Sequence, residues 1–131
     1  MSIVLATVCL AGNMFSCQPM QVKVIDGDTF QINSERVRVV GIDAPEMKGA
    51  CAAEIRKARM AKDRAAELIS TSKVTIERKG RDKYRRTLAR ISVNGRDLGD
   101  ILMKEGLARK WEQKWRPGLD EVWCSGRPGA F

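Results

Sequence analysis

Two short runs of alternating residues constrain this chain more than anything else in it. In Gln21–Ile25, Val22 and Val24 share one face, and Phe30 and Ile32 resume the pattern after Asp26-Gly27-Asp28-Thr29. In Arg36–Ile42, Val37 and Val39 share one face while Arg36 and Arg38 take the other. A period of two is the mark of a half-buried strand, so both runs read as strands. Asn33-Ser34-Glu35 is a turn signal between them, and Pro45 stops the second run. Each run ends in acids: Asp26 and Asp28 in VIDGDTF, Asp43 and Glu46 in GIDAPE.

Downstream the period changes. From Ala50 to Ser70, Ile55, Ala58, Ala65, Leu68 and Ile69 recur at helical spacing. Strand patterns return at Val74–Arg78 and Thr87–Val93. Asn94-Gly95 predicts a tight hairpin turn, and Asp97 predicts the cap of a short helix that ends at Gly106. Strands, a long helix, more strands and a short helix give an α+β domain. The order suits a five-stranded oligonucleotide-binding-type β-barrel with one long and one short helix. A length of 131 residues suits one domain.

Charge narrows the partners. Lys and Arg number 24 against 16 Asp and Glu, a net +8 that attracts polyanions, nucleic acid first among them. There is no histidine, which excludes an imidazole base and any His-ligated metal. The first charge along the chain is Lys23, and the stretch Ile3–Ala11 is apolar but too short to span a bilayer. Residues 1–19 therefore read either as a signal-like segment or as an N-terminal strand, with residues 20–131 as the domain proper. The signal-like reading places the protein outside the cytoplasm, secreted or periplasmic; the other leaves it cytoplasmic. The four cysteines, at 9, 17, 51 and 124, have no zinc spacing. Export predicts one disulfide, Cys51–Cys124 being the first pairing expected and Cys17 the next partner for Cys51.

Three groups of residues carry chemistry. Asp28, Asp43 and Glu46 sit where strands end in bends, so they can converge on one barrel rim and offer oxygens to a hard cation such as Ca²⁺. Asp and Gly also favour plain capped turns. Arg38 and the segment 80–90, with Arg81, Lys83, Tyr84, Arg85, Arg86 and Arg90, supply cations for phosphate, unless that segment is only a solvated loop. Trp111 and Trp115, among Arg109, Lys110, Lys114 and Arg116, suit base stacking, or else they close the core.

Taken in order, VIDGDTF, VRVVGIDAPE, RDKYRRTLARI and NGRDLGDILMKEGLAR resemble the staphylococcal nuclease (thermonuclease) family over roughly Gln21–Trp115. The resemblance implies an oligonucleotide-binding barrel with helices and Ca²⁺-dependent cleavage of DNA and RNA; a monomer without stable membrane insertion is expected. It makes Asp28 and Asp43 metal ligands, joined by the backbone carbonyl of Ala44, and Arg38 and Arg86 catalytic arginines. It places Glu46 beside the attacking water and Asp26 behind the ligands, and it gives Lys83, Tyr84 and Trp115 to the substrate. Ala44 stands where the family has threonine. Arg85 stands where it usually has glycine; a positive φ there costs an arginine about 1 kcal/mol. The rival expectation is a non-catalytic nucleic-acid-binding barrel of the same fold, which should have lost one of Asp28, Arg38, Asp43, Glu46 and Arg86. A basic protein-interaction module would explain the charge but not the acids.

Overall fold

The computed structural model describes residues 3–10, 13–111 and 123–124. Strands β1 (Ile3–Leu10), β2 (Asn13–Asp26), β3 (Thr29–Ile32) and β4 (Glu35–Val39) come first, followed by the two-residue β5 (Ile42–Asp43). Helix α1 (Ala52–Ser70) leads into β6 (Lys73–Arg81), β7 (Thr87–Val93) and β8 (Arg96–Asp97). Helix α2 (Leu98–Lys104) and β9 (Arg109–Lys110) complete the described elements.

Seven strands form one sheet in the order β4-β3-β2-β1-β6-β7-β8, and a β4–β7 pairing closes it into a barrel. The closure is parallel, Val37 opposite Thr87 and Arg38 opposite Leu88. The β1–β6 pair is parallel as well, and the remaining pairs of this sheet are antiparallel. The sheet exceeds the five strands expected from the pattern because Ile3–Leu10 forms a strand between β2 and β6 and the two-residue β8 adds to the edge of β7. Ala6 and Val8 of this strand are buried in the core.

The alternation predicted from the sequence is the alternation observed. Val22, Val24, Phe30, Ile32, Val37 and Val39 all point into the core, with Phe30 and Val37 fully buried. Helix α1 covers one side with Ala58, Ala61, Ala65 and Ile69. Small residues on that stripe let the Asp26-Gly27-Asp28 turn lie close against the helix. A Cβ on Gly27 would meet the Cβ of Ala61 at 3.0 Å and that of Ala44 at 3.4 Å. Asp97 caps α2 by accepting the Asp100 N–H, and Gly106 at φ 73° ends it. Asn94 and Gly95, at φ 50° and 81°, form the expected hairpin turn.

Two disulfides are present, and they correct the single bridge expected. Cys51 does pair with Cys124, but Cys17 pairs with Cys9, directly across from it on β2 and β1. Register decides this: Cys9 and Cys17 are cross-strand partners with Cα atoms 4.0 Å apart.

Candidate active site

The acids at the ends of the alternating runs do converge. Asp28 follows β2 and is buried; its Oδ2 accepts the Ala44 N–H at 2.7 Å, and its Oδ1 accepts the Thr29 hydroxyl at 2.9 Å. The turn after β2 is thus tied to the residue after β5, which brings Asp28, Asp43 and Ala44 onto one rim. Asp26 accepts the Met47 N–H at 2.9 Å and holds the loop carrying Glu46 from below.

Arg38 lies between the two candidate ligands. Its Nη1 is 3.2 Å from Asp28 Oδ2, and its Nη2 is 3.9 Å from Asp43 Oδ1. Nη1 also donates to the carbonyls of Val39 at 2.8 Å and Ile42 at 3.0 Å. The guanidinium is therefore fixed by backbone, a consequence of its place near the end of β4, before the chain bends at Gly41.

These carboxyls are electrostatically uncomfortable. Burial pushes the Asp28 carboxyl up, against the pull of Arg38, the Ala44 N–H and Thr29. Burial also raises Asp43, Arg109 opposing and the charge of Asp28 adding to the rise. Glu46 is exposed at the rim, yet the protein behind it raises its carboxyl too, helped by Asp26, Glu54, Asp28 and Asp43. The cluster holds more negative charge than its arginines offset.

That surplus suits a cation. Asp28, Asp43 and the Ala44 carbonyl are all oxygen donors, the kind a hard divalent ion prefers. Among the described residues no three acidic or thiol side chains form a complete metal cluster by themselves. Two carboxylates and a backbone carbonyl, with water and substrate oxygens, fit a labile Ca²⁺ site rather than a closed structural one.

Arg86 stands apart from this cluster. Its Nε donates to Asp82 Oδ2 at 2.7 Å and its N–H to Asp82 Oδ1 at 2.9 Å. In sequence Arg86 precedes Thr87, which lies opposite Val37 in the closing pair. Tyr84 is 67% exposed, with Lys83 Nζ 5.2 Å and Arg86 Cζ 5.6 Å from its ring centroid, an exposed aromatic set among cations. Arg85 has φ 65°, the left-handed conformation that glycine adopts without cost. Trp115, the expected stacking residue, lies outside the described residues. Trp111 is half exposed and its N–H donates to the Gly41 carbonyl at 3.0 Å; Trp123 is buried.

Two functional neighbours escape a reading of the sequence. Arg109 on β9 donates from Nε and Nη2 to Asp43 Oδ2, at 3.0 and 2.8 Å. Glu54, in the first turn of α1, accepts the N–H groups of Glu46 and Ala50, both at 3.0 Å, and so braces the GIDAPE loop. The Cys51-x-x-Glu54 spacing at a helix start was the available signal for Glu54, since a carboxylate three residues after a cap commonly reaches back to free N–H groups. Nothing comparable marks Arg109.

A closed mixed β-barrel with two helices is the oligonucleotide-binding-like class of small barrel. The sequence profile described as Staphylococcal nuclease homologue matches residues 36–121, and the chain belongs to that family. It is 38% identical over 94 residues to the SPbeta prophage-derived endonuclease YokF of Bacillus subtilis, covering 66% of this chain and 32% of that protein. With the Thermonuclease of Staphylococcus intermedius it shares 36% over 93 residues, 66% of this chain and 55% of the relative. It is also 36% identical over 114 residues to the succinoglycan biosynthesis protein ExoI of Rhizobium meliloti, covering 80% of this chain and 59% of that protein. The chain thus spans between a third and three fifths of the length of these relatives.

Proposed function

We propose that this chain is a Ca²⁺-dependent nuclease that hydrolyses phosphodiester bonds of DNA, RNA or both. The observation that carries the reading is Arg38, held by two backbone carbonyls between the carboxylates of Asp28 and Asp43 on the rim that also carries Glu46. The endonuclease and thermonuclease names of relatives agree with it.

Asp28, Asp43 and the Ala44 carbonyl would hold the ion. Bound there, Ca²⁺ supplies positive charge to a phosphate oxygen. Arg38 and Arg86 donate to the non-bridging oxygens, where negative charge grows as the phosphorus takes on a fifth oxygen. Glu46, its carboxyl raised above the ordinary value by burial, orients the attacking water and accepts its proton. The water oxygen bonds to phosphorus, the ester bond opposite breaks, and the departing oxygen leaves as an alkoxide that Arg86 neutralises or solvent protonates. Lys83 and Tyr84 bind a neighbouring phosphate, and Asp26 keeps the Glu46 loop in register through Met47.

The protein works as a monomer outside the cytoplasm in this reading. All four cysteines are paired, which suits an oxidising compartment. No described helix is long and apolar enough to cross a membrane.

The deciding assay incubates the protein with plasmid DNA and with RNA, in Ca²⁺ or in chelator. Cleavage in Ca²⁺ that stops with chelator is expected. Salt-sensitive binding of single strands with no cleavage in Ca²⁺ would overturn the catalytic reading and leave a binding barrel. Full cleavage in chelator would remove the metal.

A further inference from the structure

Strands β5 and β9 form a two-stranded sheet of their own, and Asp43 lies directly opposite Arg109 in it. Both N–H groups that Arg109 gives Asp43 go to the same oxygen, Oδ2. The other oxygen, Oδ1, is the one that faces Arg38, on the side of Asp28. One guanidinium therefore decides which oxygen of Asp43 looks into the rim.

Arg109 is in turn held firmly. Its side chain is 9% exposed, and its guanidinium carbon is 5.8 Å from the centroid of the Trp123 ring. The residue after Trp123 is Cys124, bonded to Cys51. Cys51 is the cap of α1, the helix whose Glu54 braces the Glu46 loop. The bridge thus connects the support of Asp43 with the support of Glu46.

We propose that Arg109 is a positioning residue for the cation site: it turns Asp43 so that Oδ1 alone is offered to the ion, and Trp123, anchored by the Cys51–Cys124 bridge, keeps Arg109 in that pose. The proposal rests on the Ca²⁺ reading above. Its physical content is a conflict of signs. By charge alone, a guanidinium against a ligand repels a dication, so removing it should tighten binding. By orientation, a partner that fixes a ligand raises affinity, commonly by about 10–100-fold. Lysine at this position keeps the charge but loses the planar fork that holds Oδ2 from two nitrogens.

The test is calorimetric titration of the substrate-free protein with Ca²⁺, on wild type, Arg109→Met, Arg109→Lys, Trp123→Leu and the Arg109→Met/Trp123→Leu double variant. Circular dichroism monitors folding. Both Arg109 variants should bind Ca²⁺ about tenfold or more weakly. Trp123→Leu should lose less, and the double variant should be no weaker than Arg109→Met alone. Affinity that is unchanged or tighter in folded Arg109→Lys and Arg109→Met overturns the positioning role and leaves the nuclease reading untouched. Should Arg109→Met not fold, Arg109→Lys decides by itself, since it keeps charge and stem. A wild type that binds no Ca²⁺ overturns the metal reading itself, and this proposal with it.

Discussion

Two groups of carboxylates in this molecule are set in opposite ways. At the barrel closure Glu35 accepts both Nε and Nη2 of Arg78, at 2.9 and 2.7 Å, and the Thr87 hydroxyl at 2.7 Å. The Arg78 hydrogen bonds hold its carboxyl down at about 2. One side chain thereby ties the first residue of β4 to β6 and to the first residue of β7. At the rim, Asp28, Asp43 and Glu46 are pushed up instead. The closure has its charges matched and serves the fold; at the rim, burial first and neighbouring acids second hold the carboxyls up. A functional site is where local electrostatics is held away from its optimum, and the remainder of the structure supplies the stability for that.

The comparison breaks first at Arg38. Arg38→Lys keeps the charge and loses the fork, and kcat should fall on the order of a thousandfold with the fold intact. Arg90→Lys is the control, because Arg90 lies on the surface, loosely paired with Asp97 at 3.6 Å and opposite Glu77; steady-state kinetics showing equal losses would mean that bulk charge, not a site, drives cleavage. Next comes Glu46→Gln. Cleavage should drop by about a hundredfold or more, while thermal unfolding without Ca²⁺ should move up by roughly a few degrees, since an ionised group with a raised carboxyl is better replaced by a neutral one. A lower melting temperature would mean the rim is not strained.

Glu35→Gln should do the reverse. Stability falls by about 1–2 kcal/mol after solvent screening of the pair, and turnover per folded molecule stays as it was. The pH dependence fixes the sign. The Glu35 carboxyl sits below its ordinary 4.5, so its contribution is complete above that pH and lost as the pH falls through about 2. Urea midpoints of wild type and Glu35→Gln should differ at pH 7 and converge toward pH 2; a constant gap would assign the effect to packing. The smallest change expected is at Arg85, where φ is 65°. Arg85→Gly should stabilise by about 0.5–1 kcal/mol, relief of strain being partly cancelled by a more flexible unfolded chain.

The sequence showed the rim acids because each closes an alternating run: the pattern fixes that Val22, Val24, Val37 and Val39 are inward, and Asp28 and Asp43 then follow at the bends. It showed the short helix because Asp97 and Gly106 mark both ends. What it hid depends on register between distant strands. Arg109 and Asp43 lie 66 residues apart and meet only because two-residue strands pair. A pattern of two has no period to read. Cys9–Cys17 was hidden for a related reason: the apolar N-terminal stretch suggests a leader, and only the pairing of Ile3–Leu10 with β2 and β6 makes that strand part of the sheet.

The lateness of β9 in the chain has a consequence for biosynthesis. A polypeptide leaves the ribosome from its N-terminus, and early segments can pack before late ones exist. Asp28, Arg38, Asp43, Glu46 and Arg86 all emerge with the last strand partner of Asp43 still unmade. Until Arg109 and Lys110 follow, Ile42 and Asp43 have no β9 to pair with, and Asp43 Oδ2 has no guanidinium. The clamp on Arg109 waits longer still, for Trp123 and for the thiol of Cys124 to meet Cys51. A nascent fragment thus carries the rim side chains before the contacts that fix their final geometry exist.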